Sequence, residues 1–353
     1  MKSNDQSCPE FRAGKASSVR RMLCRCNALE GIVCCVISIL SPVAAFADDA
    51  MLKSLEIKEN ETQLAQRFAL REQAELPFEY SLNASFRQDN LNWSIAGEGV
   101  NVASEVNWNK TMITQLRAAA KINLSKKWLV RAVYSTGSVK SGDNQDSDFA
   151  GSNRTQEFSR SHNQTSGSVR DLSIGLGKRF CLFDFSSGWE MYVSPLAGMS
   201  VHQQNLTMTN GRQTIPSNGV ITGLNNSYDS QWKGTWLGLD ALLGLGESFS
   251  LNSTVEYHKV DYTADANWNL RSEFAHPTSF KHVAQGNGVL VSVGISYRLS
   301  RNFLFNTTFE QQNWSTYAGY DQTNFSYGAT SYYTLNQVSW NSSSYSLGAV
   351  YQF

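Results

Sequence analysis

From Tyr80 to Phe353 the apolar residues of this chain return at every second position, in ten separate runs. The runs cover 80–87, 112–124, 128–134, 171–177, 189–201, 234–243, 249–257, 289–299, 303–309 and 345–353. A period of two builds a strand with one greasy face and one wetter face. The last run is the most telling. Tyr345, Leu347, Ala349, Tyr351 and Phe353 are apolar, the residues between them are small or polar except Val350, and the run reaches the final residue. A terminal strand with an aromatic end fits the closing strand of a transmembrane barrel, whose lipid face is apolar and whose interfaces are ringed by aromatics. The pattern predicts that this strand closes the ring by pairing with Tyr80–Arg87.

The spaces between the runs alternate in length. Short connections are expected at 125–127, 182–188, 245–248 and 300–302, and long polar ones near 88–110, 140–168, 203–230, 260–287 and 313–340. Short turns at one end and long loops at the other match an outer-membrane barrel with the long loops outside the cell. A soluble sandwich has no reason to sort its loops this way. The fold class expected is therefore all-β: a ten-stranded antiparallel transmembrane outer-membrane β-barrel over 78–353. Pro195, inside the fifth run, is the residue that sits least easily in this scheme.

The polar faces carry Arg87, Arg117, Lys121, Arg131, Asp240, Glu256, Arg298 and Glu310. Both signs occur, so these side chains can pair inside a filled barrel. Ten strands enclose little more space than the eight that side chains fill, which argues against a wide pore. With 30 basic and 30 acidic residues and no basic run after residue 25, nothing invites nucleic acid.

Ahead of the barrel, Arg20, Arg21 and Arg25 precede an apolar stretch, Ile32 to Leu40, followed by Ala45-Phe46-Ala47. This is the pattern of a secretory signal over 1–47, with Met22 an alternative start. Residues 48–77 are polar, with Leu52, Leu55, Leu64 and Phe68 loosely at helical spacing, and read as a periplasmic helical or linker segment ended by Pro77. Five of the six cysteines precede residue 47. Once that segment is removed, Cys181 has no internal partner and no cysteine metal site exists.

Chemistry is expected at the outer end, where loops are free to vary. The stretch Gly142-Asp143-Asn144-Gln145-Asp146-Ser147-Asp148-Phe149 projects two carboxylates, Asp146 and Asp148, from one side of an extended segment. Such a pair can share a proton or orient a water. It also suits calcium or, most simply on residue types, a solvated acidic turn. The stretch Asp261-Tyr262-Thr263-Ala264-Asp265-Ala266-Asn267-Trp268-Asn269 says little alone.

Taken together, in order, these stretches resemble the omptin family of ten-stranded outer-membrane endopeptidases. Ser104-Glu105-Val106-Asn107-Trp108 is similar to a Trp-containing stretch before the family's second strand. Asp146-Ser147-Asp148-Phe149 is similar to its Asp-x-Asp-Trp pair, Ser159-Arg160-Ser161-His162 to an Arg-His stretch, and Asp265-Ala266-Asn267-Trp268 to its Asp-x-His followed by an aromatic. The resemblance implies that Asp146 and Asp148 hold a water and that Asp265 orients a base. It also implies lipopolysaccharide as an activating lipid and a polypeptide substrate cut near basic residues. No other cofactor is expected.

The base position, however, is Asn267, and an amide has no basic nitrogen at neutral pH. The omptin-like barrel is therefore expected to carry a degenerate catalytic site and to act as a binding, adhesion or structural surface protein. Its expected partners are outer-membrane lipid, lipopolysaccharide and a host surface ligand. Two alternatives stand: an active endopeptidase with His162, His258 or His276 as substitute base, and a narrow channel.

Overall fold

The computed structural model describes residues 78–124, 127–184 and 189–353. The expected signal, the 48–77 segment and most of two short turns lie outside them. The described chain is one antiparallel sheet of thirteen strands. They are β1 (Phe78–Gly97), β2 (Val100–Asn123), β3 (Trp128–Gly151), β4 (Thr155–Lys178), β5 (Phe180–Asp184), β6 (Trp189–Ile215), β7 (Gly219–Val220), β8 (Asn226–Leu245), β9 (Phe249–Asn267), β10 (Phe280–Arg298), β11 (Phe303–Thr316), β12 (Gly319–Asn324) and β13 (Thr330–Gln352). Ten of them, β1, β2, β3, β4, β6, β8, β9, β10, β11 and β13, form the wall in sequence order. The short β5 and β12 continue the lines of β4 and β11, and β7 is a flap on β6.

The ring closes as the terminal pattern predicts. Tyr80 pairs with Tyr351 and Arg87 with Ser344, so β1 and β13 share one register from Glu79 to Ser94. Around the lower wall, Leu82, Leu116, Leu172, Ile174, Leu237, Ile295 and Leu347 stand exposed on the outside, as lipid-facing residues must. At the short-turn end, Phe78, Tyr80, Tyr351 and Phe353 pack ring to ring. Exposed Trp128, Trp189, Phe249 and Tyr297 continue that belt.

The long polar connections expected from the sequence are mostly strand. β1 and β2 run on to a two-residue tip at 98–99, and β3 and β4 to a tip at 152–154. Only 216–225, 268–279 and 325–329 are substantial connections at this end. The physical reason lies in the side chains. On β1 the inner face begins polar, with Asn83, Ser85, Arg87 and Asp89, then turns apolar at Leu91 and Trp93. The outer face does the reverse, ending in Gln88, Asn92 and Ser94. Above the lipid the wall meets water, so the greasy face moves inside, as in a soluble barrel. Leu91, Trp93, Val106, Trp108, Tyr228, Trp232, Tyr262, Trp314 and Trp340 form the core of this upper half.

Pro195 is lodged at a break. β4 pairs with β6 up to Gly177–Leu196, and β5 resumes at Phe180–Val193. The interruption falls opposite the proline, which has no N–H to offer a continuous ladder.

Close strand approach demands glycine at Gly234, where a Cβ would lie 1.9 Å from the Lys259 carbonyl oxygen and 2.7 Å from Val260 Cα. Gly234→Val should cost at least about 1–3 kcal/mol through overpacking against backbone. A lowered urea midpoint of the folded barrel, read by its heat-modifiable gel migration, is the measurement that checks it.

Candidate functional site

The lower interior is filled by paired charges. Arg87 donates to Asp89 at 2.6 and 2.7 Å and to Asp171 at 2.8 Å. Asp171 also contacts His202 Nδ1 at 3.0 Å and accepts from Gln115, while Asp89 accepts from the Trp340 indole at 3.0 Å. One network thus ties β1, β2, β4, β6 and β13 across the lumen. Arg131 bridges Asp240 and Glu256, and Arg117 lies 3.1 Å from Glu310. Of the inward set, Arg87, Arg117 and Arg131 pair with acids as expected, whereas Arg298 is exposed and donates to the Arg301 carbonyl.

Above this plug, β3 carries the two candidate carboxylates. Its register shifts between Ser138 and Asp143, which changes the phase of the strand. Even-numbered residues then face inward. Asn144 lies beside Trp108 and Asn163, Asp146 beside Val106 and Ser161, and Asp148 beside Ser104 and Ser159. Val106 and Trp108 belong to the core, which fixes this face as the inner one. Asp146 accepts a hydrogen bond from the Trp268 indole at 3.2 Å. Asp148 is bonded by the Ser104 and Ser159 hydroxyls. Burial, then the charge of Asp148, pushes the Asp146 carboxyl up to about 7, against the Trp268 bond and the Arg271 charge, which pull it down. Burial raises Asp148 as well.

The other two candidates stand elsewhere. On β9 the inner positions are His258, Val260, Tyr262, Ala264 and Ala266. Asp265 and Asn267 have the opposite parity and take the outer face. Asp265 is exposed, between Asp229 and Lys281 of the neighbouring strands. Partial burial and then the charge of Asp265 hold Asp229 above its usual range. Asn267 Oδ1 accepts from His276 Nδ1 at 2.7 Å. The structure thus brings Asp146 and Asp148 together and leaves Asp265 and Asn267 on the far side of the wall. Of the three substitute bases, His162 is exposed on the outside and His276 is engaged by Asn267. His258 is buried lower down between Ser200 and Glu256.

One cluster was not singled out from the sequence. His282, on the inner face of β10, has Nδ1 2.9 Å from the Tyr228 hydroxyl and Nε2 3.2 Å from Asp321. Tyr228 is bonded in turn to Tyr262 at 2.6 Å, and Trp93 packs edge-on to the imidazole. His282 is 1 % exposed and Asp321 0 %, so the group is a sealed polar knot in the core. The signal for it was the parity of the Val289–Val293 run, which carried backwards puts His282 inside. Among the described residues, no three His, Cys, Asp or Glu side chains converge as a metal site.

Comparison with known proteins agrees with the wall. A family profile described as "Pom: Protochlamydia outer membrane protein" matches residues 81–353. Among curated proteins none matches significantly. Among solved structures the chain is similar to the outer membrane protease OmpT from Escherichia coli, with TM-score 0.64 and 14% identity over 78% of this chain and 96% of that one. The translocator domain of the autotransporter NalP from Neisseria meningitidis gives TM-score 0.32 and 13% identity, over 83% of this chain and 95% of that one. The first of these likenesses shows a shared ten-stranded outer-membrane architecture.

Proposed function

The chain belongs to the Pom family of outer-membrane proteins, and on that footing we propose that it is a sealed, non-hydrolytic surface barrel whose outer hairpins present a binding surface. The observation that carries this reading is the closure of the interior. The Arg87–Asp89–Asp171–His202 network spans the lumen, and the indoles of Trp232, Trp314 and Trp340 pack above it. A continuous water path has to break these bonds.

The position of the imidazoles supports the absence of hydrolysis. All five histidines are accounted for. His162 and His276 lie outside the core, while His202, His258 and His282 are buried with polar partners of their own. None presents a basic nitrogen to a water held between Asp146 and Asp148, and general-base catalysis needs such a nitrogen within about 2.6–3.2 Å of the proton it takes. The outer end, by contrast, displays Val220, Leu270, Tyr317, Tyr327 and Tyr332, all exposed. Arg170, Lys233 and Lys259 stand exposed just above the apolar band, on the two residues' spacing that follows Leu172 and Tyr257. This placement supports lipopolysaccharide phosphates as a neighbour of the wall.

The test uses the full chain refolded into lipopolysaccharide micelles and into planar bilayers. Neither cleavage of a quenched dibasic peptide nor unitary conductance steps are expected. Asn267→His should add no cleavage, because the new imidazole would point away from the carboxylate pair. Cleavage abolished by Asp146→Ala, or reproducible conductance steps, would overturn the proposal.

A further inference from the structure

Where the β1–β2 tip, the β3–β4 turn and the step from β11 to β12 meet, the outer end holds a cleft of about 580 Å³. We infer that this cleft is a binding site for a short, uncharged oligosaccharide, an inference that rests on the surface-binding reading above and names its site and ligand class.

Tyr317 is 62 % exposed, yet it is tied at both ends to β10. Its backbone N–H donates to the Gln285 carbonyl at 2.8 Å, and its hydroxyl accepts from Asn287 Nδ2 at 3.0 Å. An exposed ring that is already fixed offers a flat apolar platform at little ordering cost. The apolar C–H face of a sugar ring is the complement of such a platform.

Asn101 and Asn336 form a reciprocal amide pair, Nδ2 to Oδ1 at 3.1 and 2.8 Å, and Ser94 and Gln337 lie beside them. Amides and hydroxyls offer donors and acceptors together, which suits a ligand dense in hydroxyl groups that are both. The few apolar side chains in the cleft form no deep pocket of the kind that anchors a peptide.

Arg154 is the cleft's one basic side chain, and Glu105 already holds it, Nε to Oε2 at 2.6 Å. No second cation is present among the lining residues to bind a phosphate or sulfate. Arg154 and Asn153 also occupy left-handed backbone, with φ of 60° and 57°. They sit in the three-residue tip at 152–154, where the chain reverses between β3 and β4. Glycine would adopt that backbone with less strain, so each side chain displayed there carries a local backbone cost. The cleft is broad and open to solvent, a surface on which a few sugar rings can lie rather than a cage for one small ion.

The experiment takes the full chain in detergent and a panel of soluble three- to five-unit oligosaccharides of hexose, N-acetylhexosamine and uronate type, read by saturation-transfer NMR. At least one neutral series should bind. Tyr317→Ala should weaken it about tenfold, as loss of an aromatic platform implies, whereas Tyr317→Phe, which keeps the ring, should stay within about threefold. Asn336→Asp should weaken it too. Heat-modifiable migration confirms that each variant is folded. A panel without a neutral binder overturns the inference, as does binding that Tyr317→Ala and Asn336→Asp leave unchanged. Binding only to whole lipopolysaccharide assigns the contact to the outer leaflet and also overturns it. Conductance or cleavage would instead overturn the surface-binding reading, whatever the sugars do.

Discussion

Replacing Arg87 by methionine should cost the barrel about 3–5 kcal/mol, the range seen when one partner of a buried ion pair is removed and the other charge stays behind. Arg87 is 2 % exposed and holds two carboxylates, Asp89 and Asp171, through three hydrogen bonds of 2.6–2.8 Å. Methionine keeps much of the volume but leaves both carboxylates facing each other without a counter-charge. Neutralising them at the same time should recover most of the loss, because an uncharged set needs no counter-ion. Arg87→Met with Asp89→Asn and Asp171→Asn is therefore expected to unfold close to the parent's urea midpoint in bilayers, and Arg87→Met alone well below it. A single variant within about 1 kcal/mol of the parent would mean that water already reaches this network. The lumen would then be open, and the proposed closure would go with it.

Most of the wall could be read from the sequence because the lipid imposes its period of two directly. Tyr345–Phe353 and Tyr80–Arg87 announced themselves as closing partners, and the register confirms them. What could not be read at once was the wall above the lipid. There the alternation persists with its polarity reversed: Asn83, Ser85 and Arg87 point in below, Leu91 and Trp93 point in above. A search for greasy residues in one constant phase sees the run stop and reports a loop. Parity, had it been carried through, would have placed two residues correctly. Asp265 shares the parity of Val255 and Tyr257 and so faces out. His282 is opposite in parity to Val289 and so faces in. Parity would have failed on β3, where the shift between Ser138 and Asp143 changes the inner set from odd to even. That shift is a matter of backbone pairing, and no residue type in 138–143 announces it. The candidate pair Asp146 and Asp148 was legible as a spacing, while its inward direction and its contact with Trp268 were not.

Asp146→Asn should stabilise the chain above neutral pH and do little in acid. The sign follows from the two protonation states. The unfolded carboxyl titrates near 3.8, and the folded one near 7. Between those values the folded chain holds a proton that the unfolded chain has lost. Stability contributed by that proton is present below about pH 4, falls as pH rises, and is gone above about pH 7. A gap of about three units corresponds to roughly 4 kcal/mol at most, and part of it comes from the charge of Asp148 rather than from burial, so on the order of 2–4 kcal/mol is expected. Asparagine keeps the shape and an oxygen for the Trp268 indole but cannot ionise. The difference between variant and parent, taken from urea midpoints at each pH, should therefore be small near pH 4, grow through neutrality and level off by about pH 8. Asp148→Asn should flatten the parent's slope in part, by removing the neighbouring charge that helps raise Asp146. A difference that stays level from pH 4 to pH 8 would show that the two carboxyls ionise independently in water. Water would then reach the pair, and the 268–279 connection would be held by its other contacts, among them Trp268 on Phe280, Asn269 on Asn226 and Ala275 on the Asn324 carbonyl.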